Sequence, residues 1–395
     1  MARVFVKQGR EKSILHHHPW LYSGAIDHIE GSPDLGETVK VVSSKGSFLG
    51  WGAYSPASQI RIRFWSFDES TIIDDNFLST KIKAALSLRS SLFENSGTNA
   101  FRLVHAESDD LPGLIVDKYA DFLVLQILSA GAEYWKETFV SVLNEILHPA
   151  GIYERSDVAV RELENLPETI GLVTGKVPPD FLTIYENNLA FNVDLKTGQK
   201  TGFYLDQRVN RQYLSTLINS GSLLNCFAYT GAFSVYALSS GVESILSIDS
   251  SADSLESAKL NIIKNKLPIE NCEWLVEDVF IALRGLRDRA RSFDTIILDP
   301  PKFAPTAAHV QKAARAYKDI NLLAFKLLKS GGTLLTFSCS GGIDPALFQK
   351  IVSDAALDAN VNAKVVASLT QGPDHPISLN FPEGAYLKGL VCKIN

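Results

Sequence analysis

The chain has 395 residues, 46% of them hydrophobic and 21% charged, a profile that excludes both one small domain and a disordered chain and leaves room for two or three cores. Its 38 Lys and Arg against 44 Asp and Glu give a formal net charge of -6, which excludes indiscriminate binding driven by phosphates alone. No run reaches the roughly 18 uncharged apolar residues of a membrane span, and the opening MARVFVKQGREKSILHHHPW is too polar for a secretory leader. A cytoplasmic protein with no membrane partner is expected.

Residues 1–75 alternate short apolar runs with Gly, Ser, Pro and Asp: ARVFVK, ETVKVVSS, GSFLGWGAYS and SQIRIRFWSF read as strands of a small all-β barrel. The next region, 76–193, reads as a central α+β domain. It opens with the amphipathic run DNFLSTKIKAALSLRSSLF, followed by two strand-like runs separated at Pro112-Gly113. A second helix is predicted from Tyr134 to Leu147, with strands at Gly151 to Tyr153, Gly171 to Thr174 and Leu182 to Asn187. The polar segment KTGQKTGFYLDQRVNR, Lys196 to Arg211, predicts a hairpin or lid.

From Ser222 the strands SLLNCFA, SILSIDS, CEWLVED, FDTIILDP and TLLTFSCS are each followed by a helical pattern, and AKVVASL and AYLKGLVCKI by none. Such alternation predicts an α/β fold with a doubly wound, Rossmann-like parallel sheet, closed by an antiparallel edge. Ligands of such sheets sit beyond the C-terminal ends of the strands. Gly231 in LLNCFAYTGAF permits close backbone approach, but the turn lacks the GxGxxG of a dinucleotide site. Asp249 ends the second strand, where a carboxylate can accept two ribose hydroxyls, and Asp278 ends the third, where it can meet an adenine amino group. Each Asp is equally placed to cap the following helix. A nucleoside without phosphates suits the set, which points to S-adenosylmethionine.

The fourth strand runs into Asp299-Pro300-Pro301-Lys302-Phe303, and the two prolines exclude helix there. Asp-Pro-Pro directly before an aromatic suits methylation of a planar amine; here Lys302 intervenes. The fifth strand ends at Cys339 beside Gly341 and Gly342. A thiolate there answers a specific need, because C5 of a pyrimidine becomes nucleophilic only after addition at C6. Cys226, Cys272 and Cys392 read as inert thiols, with no spacing for a metal site. His16, His17 and His18 are consecutive, so their side chains diverge, and no metal is expected. Arg284, Arg287, Arg289 and Arg291 read as a solvated helix face, while Lys302, Lys318 and Lys388 are open to phosphate contact. The 21 basic against 19 acidic residues from 191 onward permit a positive mouth on a negative whole.

The runs GQKTGFYLDQR, LLNCFAYTGAF, DPPKF, AYKDINLLAFKLLKSGG, TFSCSG and PEGAYLKG resemble the bacterial ribosomal RNA large subunit methyltransferase I family. HPWLYSGAI, LVHAESDDLPGLIVDKY and IYERSDVAVR extend the resemblance over nearly the whole chain. It implies a PUA RNA-binding domain over 1–75 and, over 194–395, a class I S-adenosylmethionine-dependent methyltransferase domain that acts on C5 of a cytosine in 23S ribosomal RNA. It makes Cys339 the nucleophile and sets Asp299 against the base at N3 and the amino group. Asn225, Phe227, Thr230, Gly231, Asp249, Asp278 and Val279 would line the cofactor pocket. Tyr204, Asp206, Gln207 and Arg208 match a motif that closes over the methyl donor, and Pro300, Pro301, Lys302 and Ser338 would lie against the substrate. Another group of RNA cytosine methyltransferases has a second cysteine where this chain has Pro300-Pro301, so the group that removes the C5 proton is open. Methylation of a base amine or ring nitrogen, and a non-catalytic RNA-binding assembly factor, are the competing readings; a homodimer is also left open.

Overall fold

Short apolar runs in the first 66 residues build the strands β1 (Arg3–Val6), β2 (Trp20–Tyr22), β3 (Ile26–Glu30), β4 (Thr38–Ser43), β5 (Phe48–Tyr54) and β6 (Ile60–Ser66), with one helical turn, α1 (Lys12–Leu15), after β1. The computed structural model describes residues 1–94, 96–303 and 309–395. The six strands form one sheet in the order β2-β6-β5-β4-β1-β3. Val4, Val6, Val39, Val41, Ile62 and Phe64 supply its core from one side of each strand. β2 and β3 were not evident in the sequence. WLY is only three residues long, and IDHIE carries no fully buried position to mark its inner face.

Asp74 caps α2 (Asp75–Phe93) by accepting from the Phe77 N–H at 2.8 Å. The helix lays Leu78, Ile82 and Ala85 on a second core. Five strands complete this layer: β7 (Ala100–His105), β8 (Leu114–Tyr119), β9 (Phe122–Ile127), β10 (Gly151–Ser156) and β11 (Thr169–Gly175), in the order β11-β10-β9-β8-β7. Between β9 and β10 the predicted single helix is two, α3 (Ala130–Tyr134) and α4 (Lys136–Leu147), broken at Trp135; α5 (Val160–Leu163) follows β10. The hairpin β12 (Leu182–Glu186) and β13 (Leu189–Val193) comes next.

Two compact units result: Met1–Tyr185 with Val193–Leu205 and Pro373–Gly384, and Glu186–Asn192 with Asp206–Gly372 and Ala385–Asn395. In the first, the distant segment Pro373–Gly384 is held by charge. Asp374 Oδ2 accepts from the Arg102 N–H at 3.0 Å and its carbonyl from Arg89 at 3.0 Å, while Arg89 and Arg102 form bidentate pairs with Asp109 and Asp117.

After Glu186–Asn192, the second unit continues with α6 (Arg208–Leu217), preceded by a 3₁₀ turn over Leu205–Gln207, so the predicted hairpin or lid ends as a helix start. Then come β14 (Ser222–Cys226), α7 (Ala232–Ser239), β15 (Ser244–Asp249), α8 (Ala252–Lys264), β16 (Cys272–Val276), α9 (Val279–Asp288), β17 (Phe293–Leu298), α10 (Val310–Leu327), β18 (Leu328–Ser338), α11 (Pro345–Asp358), β19 (Ala363–Leu369) and β20 (Lys388–Ile394). The sheet order is β16-β15-β14-β17-β18-β20-β19, the doubly wound arrangement expected. The antiparallel edge expected of the last two strands is present: β19 lies outermost, and inside it runs β20, antiparallel to both β19 and β18. Its run GLVC is buried throughout and needs cover on both sides, whereas β19 exposes Lys364, Val365 and Val366 as an edge strand can. Among the described residues no helix is long and apolar enough to cross a membrane.

Candidate active site

The sheet order reverses between β14 and β17, and both strands end at the same edge as β15, β16 and β18. That edge gathers Phe227, Asp249, Asp278, Asp299 and Cys339, each on or just past the end of its strand. The first turn is conformationally costly. Phe227 and Tyr229 have φ of 59° and 47°, in the left-handed region that non-glycine residues rarely enter, and Gly231 follows at 72°. A Cβ on Gly231 would lie 2.6 Å from Ala258 Cβ, so glycine is needed both for the turn and for α8 to pack.

Asp249 locks this turn. Its Oδ2 accepts from the Tyr229 N–H at 2.8 Å and its Oδ1 from the Ser251 N–H at 2.9 Å, fixing the carboxylate plane while each oxygen keeps a lone pair for a hydroxyl donor. Asp278 caps α9 through one oxygen, accepting from Phe280 and Ile281, and its side chain is exposed. The Thr230 Oγ1 is buried and has no hydrogen-bond partner among the described residues. A ligand hydroxyl or amino group would satisfy it. The donors and acceptors of this edge therefore fit an adenosyl group.

Two of the residues expected at the cofactor also make scaffold contacts. Asn225 is buried and donates from Nδ2 to Ser234 Oγ at 2.9 Å, tying β14 to α7. Val279 belongs to the main core. Phe227 packs on that core edge-on to Phe303, 6.3 Å between ring centres. Gln207 and Arg208 are buried at the start of α6. Tyr204 belongs to the first unit, where its hydroxyl donates to Gln199 Oε1 at 2.6 Å and the Lys200 ammonium lies 4.4 Å from its ring centre. Asp206 accepts from the Tyr386 hydroxyl at 2.7 Å.

At the fourth strand, Asp299 Oδ1 accepts from Gln207 Nε2 at 3.0 Å. Pro300 is buried, whereas Pro301 and Lys302 are exposed. The Phe303 ring turns into an aromatic cluster, 4.8 Å from Tyr317 and 5.8 Å from Phe280. The end of α10's preceding loop, residues 304–308, lies outside the described residues.

Cys339 is partly exposed, between two fully buried serines. Ser338 Oγ accepts from the Ser340 N–H at 3.3 Å, the Tyr317 hydroxyl and Ser340 Oγ are 3.1 Å apart, and Lys388 Nζ donates to the Ser340 carbonyl at 2.9 Å. Ser338 thus braces the loop from inside the core. The other thiols are held inert by burial: Cys226 is pushed well up, Cys392 up to about 12, and Cys272 up to about 11 with help from Glu270. Sequence reasoning missed Asn210, Tyr317 and the register that puts Lys388 opposite Ser338.

Among the described residues no group of three His, Cys, Asp or Glu could hold a metal ion. His17 stacks on Phe67 at 4.5 Å, and His18 lies 3.3 Å from Glu383. Arg284, Arg287 and Arg291 pair with Asp319, Asp288 and Glu273, and Lys318 pairs with Asp358.

Residues 4–67 match a PUA-like domain family, and residues 165–391 match the S-adenosylmethionine-dependent methyltransferase family. The ribosomal RNA large subunit methyltransferase I of Photobacterium profundum is 49% identical over 392 residues, covering 99% of both chains. That of Shewanella amazonensis is 50% identical over 392 residues with the same coverage, and that of Shigella boydii serotype 4 is 47% identical over 393, covering 100% of this chain and 99% of its own. The chain belongs to the ribosomal RNA large subunit methyltransferase I family. This member of the ribosomal RNA large subunit methyltransferase I family carries a PUA-like domain ahead of a methyltransferase domain that depends on S-adenosylmethionine. The fold is shared with a methyltransferase crystallised with SAH, at TM-score 0.87 and 21% identity, and with a SAM-dependent methyltransferase from Streptococcus mutans, at 0.85 and 22%; both alignments cover 100% of each chain.

Proposed function

We propose that this family member methylates C5 of a cytosine in 23S ribosomal RNA, in the cytoplasm, with Cys339 as a covalent nucleophile. The substrate class follows from the names of its full-length relatives. The observation that carries the covalent chemistry is the contrast among the thiols: Cys339 stands partly exposed at the strand edge, one strand over from Asp299, while Cys226 and Cys392 are sealed in the core. A Cβ on Gly341 would meet nothing within 4 Å, so the surface beside the thiol is open.

Bound S-adenosylmethionine supplies an electrophilic methyl group on a sulfonium. Asp249 and Thr230 would orient its adenosyl part. Cys339 Sγ, as thiolate, forms a bond to C6 and frees the C5=C6 electron pair for C5 to take the methyl group. Loss of the C5 proton to a base and departure of Sγ restore the double bond, so one proton is released per turnover. Asp299, oriented by Gln207, would face the N3 and amino edge of the base. Phe303 is turned into its aromatic cluster, which disfavours stacking on a planar amine substrate.

The test is Cys339→Ala in the full chain, with mass mapping of large-subunit RNA. Complete loss of cytosine methylation with retained S-adenosylmethionine binding is expected. Full turnover by this variant would exclude the covalent route, and absence of nucleoside binding would favour the assembly-factor reading.

A further inference from the structure

Among the described residues Lys388 is a buried lysine with no carboxylate partner. It opens β20 directly opposite Ser338 in the antiparallel register, one residue from Cys339. Only 8% of its surface is exposed, yet among the described residues it forms no ion pair with a carboxylate, and Nζ donates to the neutral Ser340 carbonyl. An unpaired buried charge is costly, and a chain with free choice would place an apolar residue at such a position. The adjacent Gly389 lets β20 run close against β18, since a Cβ there would meet the Phe337 ring at 2.6 Å.

The charged and titratable groups facing Lys388 are Cys339 after β18, Asp344 at the cap of α11 and Lys302 after β17. Asp344 is exposed and engaged in capping Leu347, and Lys302 repels. Cys339 also lies within the electrostatic reach of Tyr317, whose hydroxyl is held by Ser340. We infer that Lys388 is a positioning residue whose ammonium holds the Cys339 sulfur as thiolate and, through Ser340, fixes the direction in which it points. The thiol proton leaves to water, and the lone pair remains on sulfur beside Nζ. This rests on the proposed reading only in giving the thiolate a use.

The test is alkylation of Cys339 by iodoacetamide in the full-length protein, read by peptide mass spectrometry as a function of pH. Neither RNA nor S-adenosylmethionine is needed. In the wild-type protein the midpoint is expected below the value of about 8.5 for an ordinary cysteine. Lys388→Gln keeps a donor for the Ser340 carbonyl and loses the charge; it should raise the midpoint by about one pH unit or more, whereas Lys388→Arg should leave it within a few tenths. A wild-type midpoint at or above the ordinary value overturns the inference even if Lys388→Gln does not fold. So does a Lys388→Gln midpoint equal to that of the wild type. A shifted midpoint together with an active Cys339→Ala variant supports the charge pairing and retires the covalent reaction, so the two failures are distinguishable.

Discussion

Gln207 donates to Asp299 with a fixed orientation: Nε2 lies 3.0 Å from Asp299 Oδ1 because its Oε1 is already taken by Asn210 Nδ2 at 2.6 Å. Asn210 is itself anchored on the Thr370 carbonyl at 3.0 Å. An amide pinned at its oxygen can offer only N–H to its other neighbour, so the relay demands an acceptor at Asp299.

Breaking that relay should slow methyl transfer. Gln207→Leu is expected to lower kcat/KM about 10- to 100-fold, the worth of a hydrogen bond to a charged group, and Gln207→Glu by more, since two carboxylates would then face each other. Transfer of labelled methyl groups to ribosomal RNA measures both; equal rates in wild type and Gln207→Glu would show that Asp299 needs no such donor.

Gly231→Ala should damage stability and nucleoside binding together. The new Cβ combines a left-handed backbone with an approach of 2.6 Å to Ala258, and the expected loss is about 2–4 kcal/mol. Thermal unfolding and titration calorimetry with S-adenosylmethionine provide the two readouts, and an undiminished melting temperature would contradict the packing argument.

Arg211 and Glu186 form a fully buried bidentate pair, at 2.8 and 2.7 Å. Glu186→Gln should cost about 3–5 kcal/mol, because the guanidinium stays buried with its counter-charge gone. Urea unfolding checks this, and replacing both residues by apolar ones should recover part of the loss.

Acid should loosen the first unit through Asp117. Burial pushes this carboxyl up, but Arg102 and the Thr201 hydroxyl outweigh it and leave the folded value below the ordinary one. A group depressed in this way stabilises fully above its unfolded value of about 3.9 and loses that contribution as pH falls through the folded value. Circular dichroism should therefore show a slope of stability against pH below about 4 that is shallower in Asp117→Asn, a variant already weakened at neutral pH. Identical slopes would remove Asp117 from the account.

Local chemistry was enough to recognise much of this molecule. A strand writes its buried face into every second residue, so β4, β5 and β6 were visible, and the order of turns ending in Asp249, Asp278, Asp299 and Cys339 marked one edge of a parallel sheet. Capping was equally legible as an alternative, and Asp278 does cap α9. What was not legible depends on distant pairings. That Asn225 is tied to Ser234 and Val279 packs in the main core, and that Ser338 is sealed while Cys339 beside it is partly open, follow from which helix lies on each strand. No local pattern encodes that choice.

The insertion of β20 between β18 and β19 is the clearest case. Periodicity and motif order establish that a last apolar strand exists and that Cys339 ends the fifth. They say nothing of register, because hydrogen bonds between strands are made by backbone groups that every residue carries alike. Only when β20 pairs with β18 does Lys388 come opposite Ser338, setting a buried lysine next to the end of the strand that carries Cys339.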